Sequence, residues 1–165
     1  MITKLLEFNL ESLKKDLFNY LIDGKYLYHY TLTEYVDDIK NEGIIPRKNP
    51  NSYYEGGSDG VFLTYKQNLY STNLPQELMD KMDDYYNNDE DYDEKPIVRL
   101  TIDVTQLDYS KFTWDDDYIL NTYNYNKAKS KNEKIIESLD IWGSICYLGI
   151  INPNLIVNQD FDYGA

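Results

Sequence analysis

The sequence predicts an α+β fold, with helices packed on a β-sheet core. Three observations lead there. Apolar residues recur with helical period at Leu10, Leu13, Leu17 and Leu21, and again at Leu32, Val36 and Ile39. Two segments read as strands: the aromatic YLYHYT at 26–31 and the alternating IVRLTIDV at 97–104. The resulting order is helix, strand, helix, strands, acidic insertion, strand, helix, strands, without the regular alternation of a doubly wound sheet.

Taken in order, residues 9–22 form the first amphipathic helix, and Gly24 suits a left-handed cap behind it. The strand at 26–31 follows. Thr31 and Glu34 have capping-box spacing, so the second helix should begin near Leu32 and end at Gly43. Ile44 to Pro46 is a short extended piece, residues 47–60 are turn chemistry, and GVFLTY at 60–65 is a second strand. From Pro75 a helix carries Leu78, Met82 and Tyr86 on one face. The strand at 97–104 places Val98, Leu100, Ile102 and Val104 on a shared face. Asp115 to Asp117 begin a helix, where carboxylates favour the dipole's N-terminal end. A short helix at 132–139 turns Ile135, Ile136 and Leu139 inward and breaks at Gly143, before the strand SICYLGII at 144–151. Asn152-Pro153 turns the chain into 155–157, and the polar tail NQDFDYGA is expected to fray.

The length fits one domain, 1–165, with an acidic insertion or loop at about 77–95. No run approaches the roughly 18 consecutive apolar residues of a membrane span, and the N-terminal segment lacks a signal-peptide pattern, so a cytoplasmic protein with no membrane partner is expected. A single cysteine, Cys146, excludes an intramolecular disulfide and reads as a buried small hydrophobe. The formal charge is −13, which repels nucleic acid, and no basic patch offsets it. Between Glu77 and Lys95 nine acids face two lysines, a local charge of −7. That stretch reads as a solvated helix face and acidic loop, or as a contact surface for a basic partner.

No phosphate-binding glycine loop, dinucleotide fingerprint or zinc spacing is present, and no metal site is expected; Asn87 to Glu94 lacks EF-hand spacing. The residue that stands out is His29, the only histidine, in a strand running straight into a helix. The series YHYT, helix, GIIP, loop, GVFLTY, then IVRLTIDV and the closing SICYLGIINPNLI resembles the ADP-ribosyltransferase fold. It is most similar to the His–Tyr–Glu branch with its DarT-like and RNA 2′-phosphotransferase-like relatives. The resemblance implies a split β-sheet core and NAD as substrate. His29 would then bond a ribose hydroxyl, the backbone beside Tyr30 would hold the nicotinamide amide, Thr31 would steady that turn, and Tyr65 would stack the nicotinamide ring. Arg47 would meet the pyrophosphate. The carboxylate that the family carries at the last core strand is not at its place, where Gly143 and Ser144 stand. Asp140 is the first candidate for the role and Glu137 the second.

Two functions follow. One is an NAD-dependent ADP-ribosyltransferase-like protein modifying a protein or nucleic-acid target, such as a phage or mobile-element anti-defence factor. The other is a non-catalytic acidic inhibitor of the DNA-mimic type, an anti-CRISPR or anti-restriction protein, that covers the basic cleft of a nucleic-acid-binding host protein. In the second, Asp83, Asp84, Asp89 and Asp91 would carry the contact.

Overall fold

The helices and strands of the described residues are α1 (Ile2–Phe18), β1 (Tyr26–Leu32), α2 (Val36–Glu42), β2 (Val61–Leu63), α3 (Gln76–Asn87), β3 (Ile97–Asp103), β4 (Phe112–Trp114), α4 (Lys131–Glu137), β5 (Ile145–Tyr147) and β6 (Ile156–Asp160), joined in places by short 3₁₀ turns. This is a computed structural model; it describes residues 2–47, 60–69, 76–87, 94–115 and 129–163, with backbone only for 2–8 and 76–77. The described elements make an α+β fold of helices and two antiparallel sheets.

The strands pair in two groups of three, β1-β3-β6 and β2-β5-β4. β1 and β3 match in full register from Tyr26↔Asp103 to Leu32↔Ile97. A single rung joins the two sheets, Tyr28↔Thr64, with bonds of 2.7 and 2.9 Å in the two directions. Past that rung β1 and β2 part, so the β-layer is split.

The alternation read in β3 has its physical cause here. Val98, Leu100 and Ile102 enter a core shared with Leu13 and Leu17 of α1 and with Ile135 of α4. Each fully buried aliphatic side chain of this kind stabilises by roughly 1.5–3 kcal/mol. The opposite face of β1 is buried as well: Tyr28, Tyr30 and Leu32 pack with Met82 of α3 and with Tyr163. The polar tail is therefore docked as far as Tyr163 rather than frayed. Tyr163 is 1 % exposed and its hydroxyl donates to the Ile97 carbonyl at 2.9 Å.

Several boundaries move for stated reasons. α1 stops at Phe18, and Asp23 and Gly24 take positive φ (53° and 69°), which lets Ile22 bridge Tyr26. The Thr31–Glu34 capping box does not form: Thr31 belongs to β1 and is buried, and a 3₁₀ turn at Thr33–Tyr35 precedes α2. Thr33 instead donates its hydroxyl to the Lys95 carbonyl at 2.7 Å. Gly43 (φ +85°) closes α2 where a Cβ would lie 2.3 Å from the Ile151 carbonyl oxygen. That close approach belongs to the Ile44↔Ile151 bridge. The acidic stretch 77–95 is helical as far as Asn87; Asp89 and Asp91 lie outside the described residues.

Asp115 follows β4 and is 4 % exposed; Asp116 and Asp117, and with them the helix start read at 115–117, lie outside the described residues. A closed ring of bonds holds Asp115. Its N–H donates to Ser138 Oγ (3.0 Å), Ser138 Oγ donates to the Ser144 carbonyl (2.7 Å), and Ser144 Oγ donates to Asp115 Oδ2 (2.7 Å). Ser138 is fully buried and opens a π-helical turn, Ser138–Trp142, that continues α4. Replacing Ser138 by Ala removes the partner of two main-chain groups, the buried Asp115 N–H and the half-buried Ser144 carbonyl. The expected loss is about 2 kcal/mol, read as a lower urea midpoint at unchanged m-value; a wild-type midpoint would show that the ring is not what holds this corner.

Candidate functional site

Where β1 and β2 part, main-chain groups that would otherwise pair have to be satisfied in another way. The rung at Tyr28 fixes which groups face the split. Strand alternation turns the N–H and C=O of Tyr30, two residues on, to the same side as those of Tyr28. In a continuing ladder they would pair with Phe62. Instead, the Phe62 carbonyl is 2.8 Å from His29 Nδ1. A carbonyl oxygen only accepts, so Nδ1 carries the proton and the neutral ring leaves Nε2 as an acceptor. The side chain of His29 thus takes the place of a ladder bond at the Phe62 carbonyl, and strand alternation leaves the Tyr30 main chain turned toward the gap.

That gap opens into a cleft of about 260 Å³. β1 supplies His29, Tyr30 and Thr31; α2 and the turn before it supply Tyr35, Asp38 and Glu42; Arg47, Gly60 and Phe62 close the other side. The walls between them are apolar, with Leu32, Ile39, Ile44 and Leu78. Arg47 is held there by its main-chain bridge to Gly60, and its guanidinium lies 4.5 Å over the Tyr35 ring. A second depression, between α2 and β6, has Lys40 as the one titratable residue in its lining. The mixed apolar and convergent polar lining of the first makes it the candidate site.

Burial lowers the pKa of His29 below the ordinary imidazole value. The Phe62 carbonyl opposes that shift, and the Arg47 charge adds to it. The consequence has a definite sign. Below about pH 6.5 the unfolded chain binds a proton that the folded chain refuses, so the fold loses stability as pH falls from about 6.5 toward the folded pKa. Because His29 is the sole histidine, its imidazole signals in an NMR titration need no assignment. They should turn below pH 6.5; a midpoint above 6.5 would contradict the neutral, half-buried ring.

Of the residues singled out from the sequence, His29, Tyr30, Thr31 and Arg47 line this one cleft. The Tyr30 phenol points away from it. Its hydroxyl donates to the Lys66 carbonyl at 3.1 Å, and burial pushes its pKa up to about 12 against the pull of Arg99. Tyr65, Asp140 and Glu137 are not among the cleft residues. Tyr65 meets the edge of Tyr20 at 5.5 Å. Asp140 is exposed and lies beside Tyr20, whose pKa is raised by burial first and by this carboxylate second. Glu137 is paired with Lys129. Ser144, at the head of β5, donates its hydroxyl to the buried Asp115 carboxylate. Arg99 pairs with Asp160 at 3.1 Å and covers the Tyr28 ring at 4.4 Å. Cys146 is buried.

The cleft also contains three polar residues that the sequence reading left out: Tyr35, Asp38 and Glu42. The last two are four apart, on the side of α2 away from Val36. That spacing was visible, but without the split there was no reason to give the polar side of a helix a cavity.

Among the described residues no group of three or more histidines, cysteines and carboxylates is placed to hold a metal ion, and no helix is long and apolar enough to cross a membrane. The chain matches no protein-family model, no curated protein and no solved structure.

Proposed function

We propose that this chain is an ADP-ribosyltransferase-like protein that binds NAD in the His29 cleft and modifies a macromolecular target. One observation carries it: His29 and Tyr30 line one cleft at the split of the sheet, and the bond of His29 Nδ1 to the Phe62 carbonyl leaves Nε2 as an acceptor, while strand alternation from the Tyr28 rung leaves the Tyr30 N–H and C=O on the side of the split. A carboxamide presents one acceptor and one donor group, which that N–H and C=O match, and a ribose hydroxyl is a donor for Nε2. Arg47 offers a guanidinium for pyrophosphate. The cleft volume lies a little under the ~300–1,000 Å³ usual for ligand pockets, which suits the nicotinamide–ribose half, with Arg47 at the exposed side for the rest. When bound, NAD supplies a ribosyl C1′–N bond that breaks with its electron pair leaving on nicotinamide, while a nucleophile of the target bonds C1′ and gives up its proton. Asp38 and Glu42 are the carboxylates lining this cleft, and negative charge there favours the positive charge that develops on the ribose.

The test is calorimetric titration of the full chain with NAD, followed by the same titration of Arg47→Ala. Loss of the guanidinium is expected to weaken NAD binding about tenfold, the size of one charge-assisted bond. A wild-type chain that takes up no NAD would end the proposal, and an unaltered affinity in Arg47→Ala would remove Arg47 from it.

A further inference from the structure

The rim of the cleft differs from its interior. Asp38 and Glu42 stand one helical turn apart and are exposed, and Ile45, which lines the same cleft, is 48 % exposed. The neighbouring Asp37 is exposed too. Asp37, Asp38 and Glu42 have no ion-pair partner among the described residues. α3, which contributes Leu78 to the same cleft, presents Asp83 and Asp84 to solvent, likewise without one. The cation lining the cleft, Arg47, is stacked on Tyr35.

An exposed aliphatic side chain and two exposed carboxylates lining one cleft have a specific complement. Lys and Arg side chains lay an apolar stem on such a surface and keep a cationic head at its edge. A phosphodiester chain matches neither part: it brings no apolar stem, and its charge is repelled by the rim and by the net charge of −13.

We propose that the macromolecule presented to this cleft is a basic protein segment, with a Lys or Arg side chain lying on Ile45 and its head between Asp38 and Glu42, and not a nucleic acid. This deepens the NAD proposal and rests on it for what happens after docking; the docking itself requires only the rim. It makes encounter fast at low salt and sensitive to screening, as rim charges do.

The experiment uses the full chain. A fluorescent Arg- and Lys-rich peptide with uncharged spacers is titrated by anisotropy alongside labelled single-stranded DNA and RNA of equal length, and NAD is titrated separately by calorimetry. The peptide is expected to bind and to lose about tenfold in affinity between ~0.05 and ~0.2 M salt. The D38N/E42Q pair should weaken it by about tenfold. Ile45→Ser should weaken it while leaving its salt dependence unchanged. All three positions are exposed, so these variants are expected to fold, as their circular dichroism will report. Oligonucleotides binding as tightly as the peptide, a peptide affinity unchanged in D38N/E42Q, or no binding of either ligand would each overturn the inference. If NAD fails to bind while the peptide results hold, the NAD proposal falls and the docking rim stands. If NAD binds while the peptide results fail, the rim alone is lost.

Discussion

Replacing His29 by Ala should lower stability by about 2–3 kcal/mol and weaken NAD binding at least tenfold. The first effect follows from the place of the ring. It takes up the Phe62 carbonyl at 2.8 Å where no strand partner remains, and a buried acceptor left bare costs about 1–3 kcal/mol. The second follows from the other nitrogen, which is the acceptor offered to a ribose hydroxyl. Two further substitutions separate these roles. The amide nitrogen of Asn lies near where Nδ1 was and still donates, so His29→Asn should recover most of the stability but none of the lost affinity. Gln places its amide near Nε2 and leaves the Phe62 carbonyl bare, so His29→Gln should stay destabilised. Urea unfolding and calorimetry, run at a temperature where each variant is folded, read the two quantities. An Ala variant as stable as wild type would show that the ring does not hold the split. An Asn variant that binds NAD normally would remove Nε2 from the site.

That one side chain serves both ends explains why it stood out in the sequence and why its task did not. The pattern around it was legible. An aromatic strand running into a helix and the alternation of β3 from Val98 onward are local features, and local features follow from the chain's own periodicity. What the ring does depends on Phe62, 33 residues away. Nothing at either position announces that β1 and β2 separate after one rung. The same distance in sequence hid the Asp115–Ser144 bond, 29 residues apart. Asp115 opens a run of three aspartates, and nothing in that run announces that its first residue is held by two serines, one from the π-helical turn and one at the head of β5. Tyr163 is a further case. Its tail is polar residue by residue, yet one phenol fits between Tyr30 and Met82, 5.9 Å from the Tyr30 ring centre, and holds the segment down. Local propensity is a weak prior that tertiary packing overrides. The carboxylates of the cleft were missed for the same reason: Asp38 and Glu42 have ordinary solvent-facing spacing, and only the split gives them a cavity to line.

Gly60→Ala should cost about 3 kcal/mol, a large loss for the addition of one methyl group. The backbone of Gly60 is not in the left-handed region, so the added methyl meets no torsional objection. The obstacle is steric: a Cβ built there falls 1.8 Å from Cys146 Sγ on the neighbouring β5 strand and 3.3 Å from the Tyr147 carbonyl oxygen. Gly60 also carries the two main-chain bonds to Arg47, at 2.9 and 3.0 Å. A strand pushed aside to make room would move Arg47 off the Tyr35 ring, so NAD affinity should fall together with stability. The cause can be isolated with a second change. Cys146→Ala deletes the sulfur and leaves a Cβ 3.6 Å from the new methyl, an ordinary contact. Alone, that deletion is expected to cost about 1 kcal/mol, as for a small buried apolar group. In the double variant the sulfur's space takes the Gly60 methyl, so the two losses should fall short of their sum by about 2 kcal/mol, within the range found for residues in contact. NAD affinity should recover with it. Losses that simply add would place the strain at the Tyr147 carbonyl instead, and recovered stability without recovered affinity would show that Arg47 does not depend on this strand for its position.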